Sequence, residues 1–414
     1  MIKNVDAIVI GGGPAGLAAA LSLKNNKIKK VLITERENSL GGILLQCIHN
    51  GFGLHRFKEE LTGPEYAERY IEVLKNTNVE VLLNTCAIDI ISIGTGKKIY
   101  LMSKSNGLIE VNAKAVILAM GCRERNRGNI AIPGSRPAGV MTAGLAQKLV
   151  NHYGYMPGKE IIILGSGDIG LIMARRMTWE GAKVKAVVEL QPYPGGLNRN
   201  IVQCLDDYNI PLYLSHTITN IYGNERIRAV DVAPINEFRE PLKENSFNIT
   251  CDALLLSVGL IPENELSLNA GISLDKVTGG PLVDSNLMTN IAGIFACGNV
   301  LHVHDLVDWV SEEAENCGKS VSAYIKDTAV QKKGIPVKTE NLVKYALPAT
   351  LEQGKPGLIS LRTIAPAENT TIIVVAGNSV LYKKTYKKIF PSEMQRIKID
   401  KVPENTDVIH VFFE

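Results

Sequence analysis

At about 150 residues per domain, 414 residues allow two or three domains, enough chain to bury a large core without disulfide staples. With 45% hydrophobic and 21% charged residues, the composition excludes a disordered chain. Lys and Arg number 45 and Asp and Glu 42, and the resulting +3 gives no electrostatic case for nucleic acid or an anionic membrane surface.

Ala7 to Ile10 is a short apolar run suited to a buried parallel strand. It runs into Gly11-Gly12-Gly13-Pro14-Ala15-Gly16, a G-x-G-x-x-G, then a small-residue helix from Leu17 to about Lys24. A second strand, Val31–Thr34, ends at Glu35 and Arg36. The run Ala7–Leu23 is without charge, and its glycines make it strand–turn–helix, not a membrane span. No apolar signal core precedes it, so a cytoplasmic location is expected.

Further along, Val79 to Ile93, Lys98 to Ser103 and Leu108 to Val111 read as a small antiparallel crossover, with turns at Gly94-Thr95-Gly96 and Asn106-Gly107. Ala115 to Gly121 is a buried strand closing on glycine.

The opening design then returns. Ile161–Leu164 leads into Gly165-Ser166-Gly167-Asp168-Ile169-Gly170, a helix, and a strand Val184–Val188 ending at Glu189. Gly11 to Gly165 and Glu35 to Glu189 are both 154 positions. A lone glycine motif says little, but each copy has the preceding strand, the following helix and an acid 19 residues beyond its last glycine. Gly11 and Gly165 allow the tight turn, Gly13 and Gly167 let backbone approach a pyrophosphate, and Gly16 and Gly170 let helix pack on strand. The helix N-terminus supplies N–H groups to phosphate, and Glu35 and Glu189 would accept from ribose hydroxyls. Two dinucleotide sites are expected. Ala253 to Gly259 repeats the closing strand, so the second domain is inserted within the first.

Gly293 to Cys297 would be the last strand of the first domain, ending at Gly298-Asn299. His302 and His304 follow, either relaying a proton at a bound ring or bonding loop backbone. His302-x-His304-Asp305 has ligand types for a metal but no further ligands nearby in sequence, and no metal is expected. Leu306–Ile325 is helical. From about Lys332, strand-like runs at Leu358–Leu361, Thr371–Ala376, Ser379–Thr385, Met394–Ile399 and Val408–Phe412 form a small β module, with a hairpin signal at Gly377-Asn378. The basic stretch Lys383–Lys388 reads as a solvated face. The seven cysteines, Cys47, Cys86, Cys122, Cys204, Cys251, Cys297 and Cys317, include no C-x-x-C and suit a reducing compartment.

These motifs, in this order over roughly residues 5–330, resemble the two-dinucleotide-domain flavoproteins of the pyridine nucleotide–disulfide oxidoreductase superfamily. The resemblance implies FAD at Gly11, Gly13, Pro14, Ala15, Gly16, Glu35 and Arg36, with Gly42, Gln46, Gly121, Gly298 and Asn299 nearby. It implies a nicotinamide nucleotide at Gly165, Gly167, Asp168, Ile169, Gly170 and Glu189. The family's late Gly-Asp is Gly298-Asn299 here, which removes a carboxylate. Where disulfide reductases carry a cysteine pair after Gly-Gly, this chain has Gly41-Gly42-Ile43-Leu44-Leu45-Gln46-Cys47-Ile48-His49, with one cysteine. That excludes disulfide reduction. Cys47 is then a reactive thiol or an inert buried one, and His49 a further candidate beside it.

The segments Gly41–Leu54, Pro133–Val140 and Gly298–Asp305 resemble the branch with FAD-dependent subunits associated with anaerobic glycerol-3-phosphate dehydrogenase, and more distantly opine oxidase and hydrogen cyanide synthase subunits. This implies a partner flavin or iron–sulfur subunit. The expected fold is α/β: two Rossmann-like three-layer domains, one inserted in the other, plus a C-terminal β module. The boundaries are 1–122 and 262–330 for FAD, 123–261 for NAD, and 331–414 for the module. The expected activity is hydride transfer between flavin and a nicotinamide nucleotide, with NADH preferred over NADPH because Glu189 has no adjacent arginine to receive a 2′-phosphate. The alternatives are flavin-dependent oxidation of a small amine or amino acid, and a non-catalytic nucleotide-binding scaffold.

Overall fold

The computed structural model describes residues 1–327 and 334–414, so the expected boundary at 330/331 lies outside the described residues. The chain divides into two compact units, 1–122 with 262–414, and 123–261.

The first unit opens with β1 (Ile2–Ile10), α1 (Pro14–Asn25) and β2 (Val31–Thr34). There follow α2 (Gly63–Lys75), β3 (Glu80–Leu82), β4 (Thr85–Ile93), β5 (Gly96–Ser103) and β6 (Gly107–Leu118). β3, β2, β1 and β6 pair in parallel, with Ile8 opposite both Leu32 and Val116. β6 then pairs antiparallel with β5, and β5 with β4. The run expected as Val79–Ile93 is thus two strands, broken at Asn84, whose φ of 50° turns the chain. Conversely, Leu108–Val111 and Ala115–Leu118 are one strand of 12 residues. Its first half carries the antiparallel crossover and its second half the parallel core. Helix α2 is not among the elements expected from the sequence, although Thr62 and Glu65 form a reciprocal capping box with Pro64 just inside.

In the second unit, β7 (Val140–Thr142), β8 (Glu160–Leu164), β9 (Lys183–Val188), β10 (Leu212–Tyr213) and β14 (Ala253–Leu256) form one parallel sheet in the order β7-β14-β8-β9-β10. Alternation along β8 sends Ile161 and Ile163 to one core with Leu171 and Met173, and Ile162 and Leu164 to another with Val188 and Leu254. Helices α3 (Ala143–Tyr153), α4 (Asp168–Trp179) and α5 (Asn198–Cys204) accompany the sheet. An antiparallel sheet of β11 (His216–Gly223), β12 (Ile227–Pro234) and β13 (Phe247–Thr250) completes the unit.

Back in the first unit, β15 (Ile294–Ala296) pairs parallel with β6. Helix α6 (Val307–Ile325) packs on α1 so closely that a Cβ on Gly318 would stand 2.6 Å from that of Ser22. The C-terminal strands are β16 (Gly334–Thr339), β17 (Val343–Leu347), β18 (Thr350–Glu352), β19 (Gly357–Thr363), β20 (Ala367–Ala376), β21 (Ser379–Ile389), β22 (Gln395–Ile399) and β23 (Ile409–Phe413). They make a five-stranded and a three-stranded sheet over one core that includes Ile359, Ile372, Ile397 and Val411. Gly377-Asn378 is the two-residue loop of the β20–β21 hairpin, with Ala376 opposite Ser379. No helix among the described residues is long and apolar enough to cross a membrane.

Candidate functional site

The end of β1 meets the start of α1 through a turn that only glycine fits. Gly11 has φ +108°, and a Cβ on Gly16 would lie 1.8 Å from the Gly11 carbonyl oxygen. Gly13 caps α1 without any side-chain bond, and Pro14 occupies the first turn, so the helix N-terminus keeps backbone donors open to an anion. A Cβ on Gly13 would meet nothing nearer than the Gly42 Cα at 3.8 Å. Glu35 is buried, and its carboxylate accepts N–H bonds from Gly12 at 2.7 Å and Glu37 at 2.8 Å. Arg36 next to it is exposed.

Two distant segments close on this loop. Gly41 donates its N–H to the Gly12 carbonyl, and Gly42 stands with a virtual Cβ 3.0 Å from Gly13 Cα. Gly298 places its virtual Cβ 2.7 Å from the Ala15 Cβ. Gly121, at φ +72°, has open space where a side chain would be. The donor-rich helix end, the acid at the strand tip and the absence of side-chain bulk fit an adenine dinucleotide.

The second unit repeats the arrangement. Gly165 has φ +97°, and a Cβ on Gly170 would lie 2.5 Å from the Gly165 oxygen. Gly167 caps α4 without a side-chain bond. Glu189 accepts from Ser166 N–H at 2.8 Å, Ser166 Oγ at 2.6 Å and Gln191 N–H at 2.9 Å. Ile169 packs against the core, while the Asp168 carboxylate accepts from Leu197 N–H and Asn200 Nδ2. Ser166 and Gly195, which donates to Ser166 Oγ at 2.8 Å, carry no signal in the sequence that would single them out. Nor does Arg239, whose guanidinium reaches Oε1 of Gln191, two positions after Glu189, at 3.4 Å.

Gln46 and Cys47 end a short 3-10 turn, Gly42–Gln46, that begins on the same glycines. Gln46 is buried, and the His49 ring sits 5.2 Å from Phe52. Burial pushes the Cys47 thiol up to about 12, and its Sγ lies 3.3 Å from the Ile43 oxygen. Of the two readings of Cys47, this environment favours the inert thiol. At pH 8 iodoacetamide should therefore label exposed Cys86 before Cys47, with Cys47 labelling in native protein at least about 10-fold slower than in urea. Peptide mapping that finds Cys47 modified first would reverse this assignment.

His302 and His304 converge, their rings 4.2 Å apart, but Asp305 turns away to pair with Arg362. The third group is Glu313 of α6, whose Oε2 lies 3.0 Å from His302 Nε2 and 3.4 Å from His304 Nε2. Burial opposes its ionisation, yet the two histidines hold its carboxyl well below the usual range, while burial lowers the His302 pKa. Asn299 Oδ1 accepts the His304 backbone N–H at 3.1 Å and lies 3.3 Å from its Nδ1. Nothing in the spacing of 302–305 points to an acid eight positions further on, in mid-helix.

The chain is 24% identical to an opine oxidase subunit of Agrobacterium tumefaciens over 71% of its own length and 61% of the relative's. It is 25% identical to hydrogen cyanide synthase subunit HcnB of Pseudomonas aeruginosa over 65% of the chain and 60% of the relative. It thus spans about three-fifths of the length of these curated relatives. Its fold is like that of T. acidophilum thioredoxin reductase, with a TM-score of 0.63 at 22% identity, covering 79% of this chain and all of that one. Residues 5–319 match the family model for pyridine nucleotide-disulphide oxidoreductases, and the chain belongs to that family.

Proposed function

We propose that the chain exchanges hydride between a flavin and NAD as one component of a dehydrogenase complex of the glycerol-3-phosphate dehydrogenase type. The observation that carries this reading is the duplicated turn. Gly16 and Gly170 each sit against the carbonyl of the glycine five positions earlier, and Glu35 and Glu189 each bind their loop's backbone. When bound, FAD and NAD supply the two-electron chemistry. Residues 1–122 and 262–330 hold FAD, through the N-terminus of α1, Glu35, the Gly41–Gln46 turn and the Gly298–Asn299 corner. Residues 123–261 hold NAD, through α4 and Glu189. Each unit's part is to orient its own nucleotide and exclude water from it.

Glu189, buried and already accepting three hydrogen bonds, disfavours a 2′-phosphate, which supports NADH as the nucleotide. The raised pKa of the Cys47 thiol and the lack of a second cysteine beside it in the Gly41–His49 segment support a substrate other than a disulfide. The likeness to subunits of opine oxidase and hydrogen cyanide synthase favours a second reading, oxidation of a small amine or amino acid beside a partner flavin or iron–sulfur subunit.

Anaerobic spectroscopy separates the two. Bleaching of bound flavin by NADH is the expected result, and bleaching by an amine alone selects the second reading. A colourless protein that cannot be reconstituted with FAD would overturn both. NADH should outperform NADPH, and Glu189→Arg should shift that ratio toward NADPH by at least about 10-fold. A wild-type preference for NADPH would assign the phosphate to Arg239.

A further inference from the structure

His302, His304 and Glu313 each bring one atom of a metal-ligating type into a single cluster. The Asn299 amide is oriented by its two ends: its Nδ2 faces Cys122 Sγ at 3.7 Å, and its Oδ1 takes the His304 backbone N–H. The His304 Nδ1 beside that oxygen therefore carries the ring hydrogen, and Nε2 is left with a lone pair. That lone pair faces Glu313 Oε2 at 3.4 Å, an acceptor opposite an acceptor. His302 Nδ1 lies 3.4 Å from the Tyr345 hydroxyl, and its Nε2 lies 3.0 Å from the same Oε2. The other Glu313 oxygen is occupied by the Gly298 N–H at 2.7 Å.

The three ligand atoms all lie within 4.8 Å of one another. Donors bonded to one divalent ion at roughly 2.0–2.2 Å stand about 3–3.5 Å apart, which is the spacing from Oε2 to both rings. A cation between the two imidazoles would be stabilised by the buried carboxylate, and each ligand is held from behind by Asn299, Tyr345 or Gly298, as ligands of metal centres are. A cavity of about 100 Å³ opens on the cluster, lined by His304, Glu313, Asn316, Ser320, Ser360 and Arg396, with room for water to complete a coordination shell. Asp305 is kept out of it by Arg362.

We infer that His302 Nε2, His304 Nε2 and Glu313 Oε2 bind a first-row divalent transition ion, with its open positions turned to the polar cavity beside α6. Two imidazoles and one carboxylate suit Zn²⁺, Fe²⁺ or Mn²⁺. The site adjoins the Gly298–Asn299 corner proposed for FAD, and none of its three ligands belongs to the two glycine motifs.

Equilibrium dialysis of the full-length protein against Zn²⁺, followed by elemental analysis, tests it. One Zn²⁺ per chain is expected, with affinity reduced at least about 100-fold in His304→Ala and Glu313→Gln, about 10-fold in Asn299→Ala, and unchanged in His410→Ala, which alters a surface His–Glu pair. Failure to bind Zn²⁺, or stoichiometry indifferent to His304→Ala and Glu313→Gln, overturns the inference. Should those variants fail to fold, electron paramagnetic resonance of Cu²⁺ on unmutated protein decides. Splitting from two imidazole nitrogens supports the site. Splitting from fewer, or a doubly protonated His304 in nitrogen NMR of metal-exposed protein, overturns it.

Discussion

Gly16→Val should yield protein without bound flavin, and Gly170→Val should yield yellow protein that NADH no longer bleaches. At Gly16 the added Cβ would fall 1.8 Å from a backbone oxygen, so α1 has to move away from β1. Overpacking of this kind costs about 1–3 kcal/mol even where side chains can yield, and a backbone carbonyl cannot. The displaced element is the helix end proposed to hold the pyrophosphate, so binding suffers beyond the loss of stability. Gly170 is crowded less severely, at 2.5 Å from the Gly165 oxygen and 2.9 Å from the Ser257 Cβ. Its effect should stay within the unit 123–261. The measurements are the FAD-to-protein absorbance ratio after purification and an anaerobic NADH titration. Full flavin occupancy in Gly16→Val would remove the α1 site from consideration.

Arg362→Ala should cost about 3–5 kcal/mol, read by urea denaturation. The guanidinium of this β19 residue donates to the Val303 carbonyl at 3.1 Å and the Pro391 carbonyl at 2.9 Å, and it pairs with Asp305. The second Asp305 oxygen accepts the Met394 N–H at 2.9 Å. The two side chains are only 14% and 12% exposed, so truncating one strands a charge away from water. Replacing both, in Arg362→Met with Asp305→Leu, should recover most of the loss, because a buried pair exchanged for apolar groups is often neutral. A single-mutant cost below about 1 kcal/mol, or a double mutant no better than the single, would show that the pair does not hold the β module to the loop after Asn299.

What the sequence disclosed follows from which interactions are local. The turns at Gly11–Gly16 and Gly165–Gly170 are legible because the strand, the close contact and the helix all fall within about a dozen residues. The hairpin at Gly377-Asn378 is legible for the same reason. The cluster around Glu313 is not, because its members come from a loop and from mid-helix, where an acid ordinarily signals a solvent face. Arg239 is likewise invisible beside Gln191, being far from it in the chain. For Cys47 the sequence leaves a reactive and an inert thiol both open, because the desolvation that raises its pKa is a property of the folded surroundings. The short strands β16 to β18 lack alternating runs long enough to stand out, and are specified by partners such as β23.

The order in which the chain leaves a ribosome gives the interrupted first sheet a consequence of its own. Residues 123–261 emerge as one continuous stretch and can complete their parallel sheet as soon as β14 is made. The unit begun earlier has to wait, since β15 and α6 come from beyond residue 290. At about 5–20 residues per second, α1 spends many seconds with its apolar surface lacking the helix that Gly318 later brings against Ser22. The insertion can thus finish before its host, whose α1 waits uncovered until α6 is made.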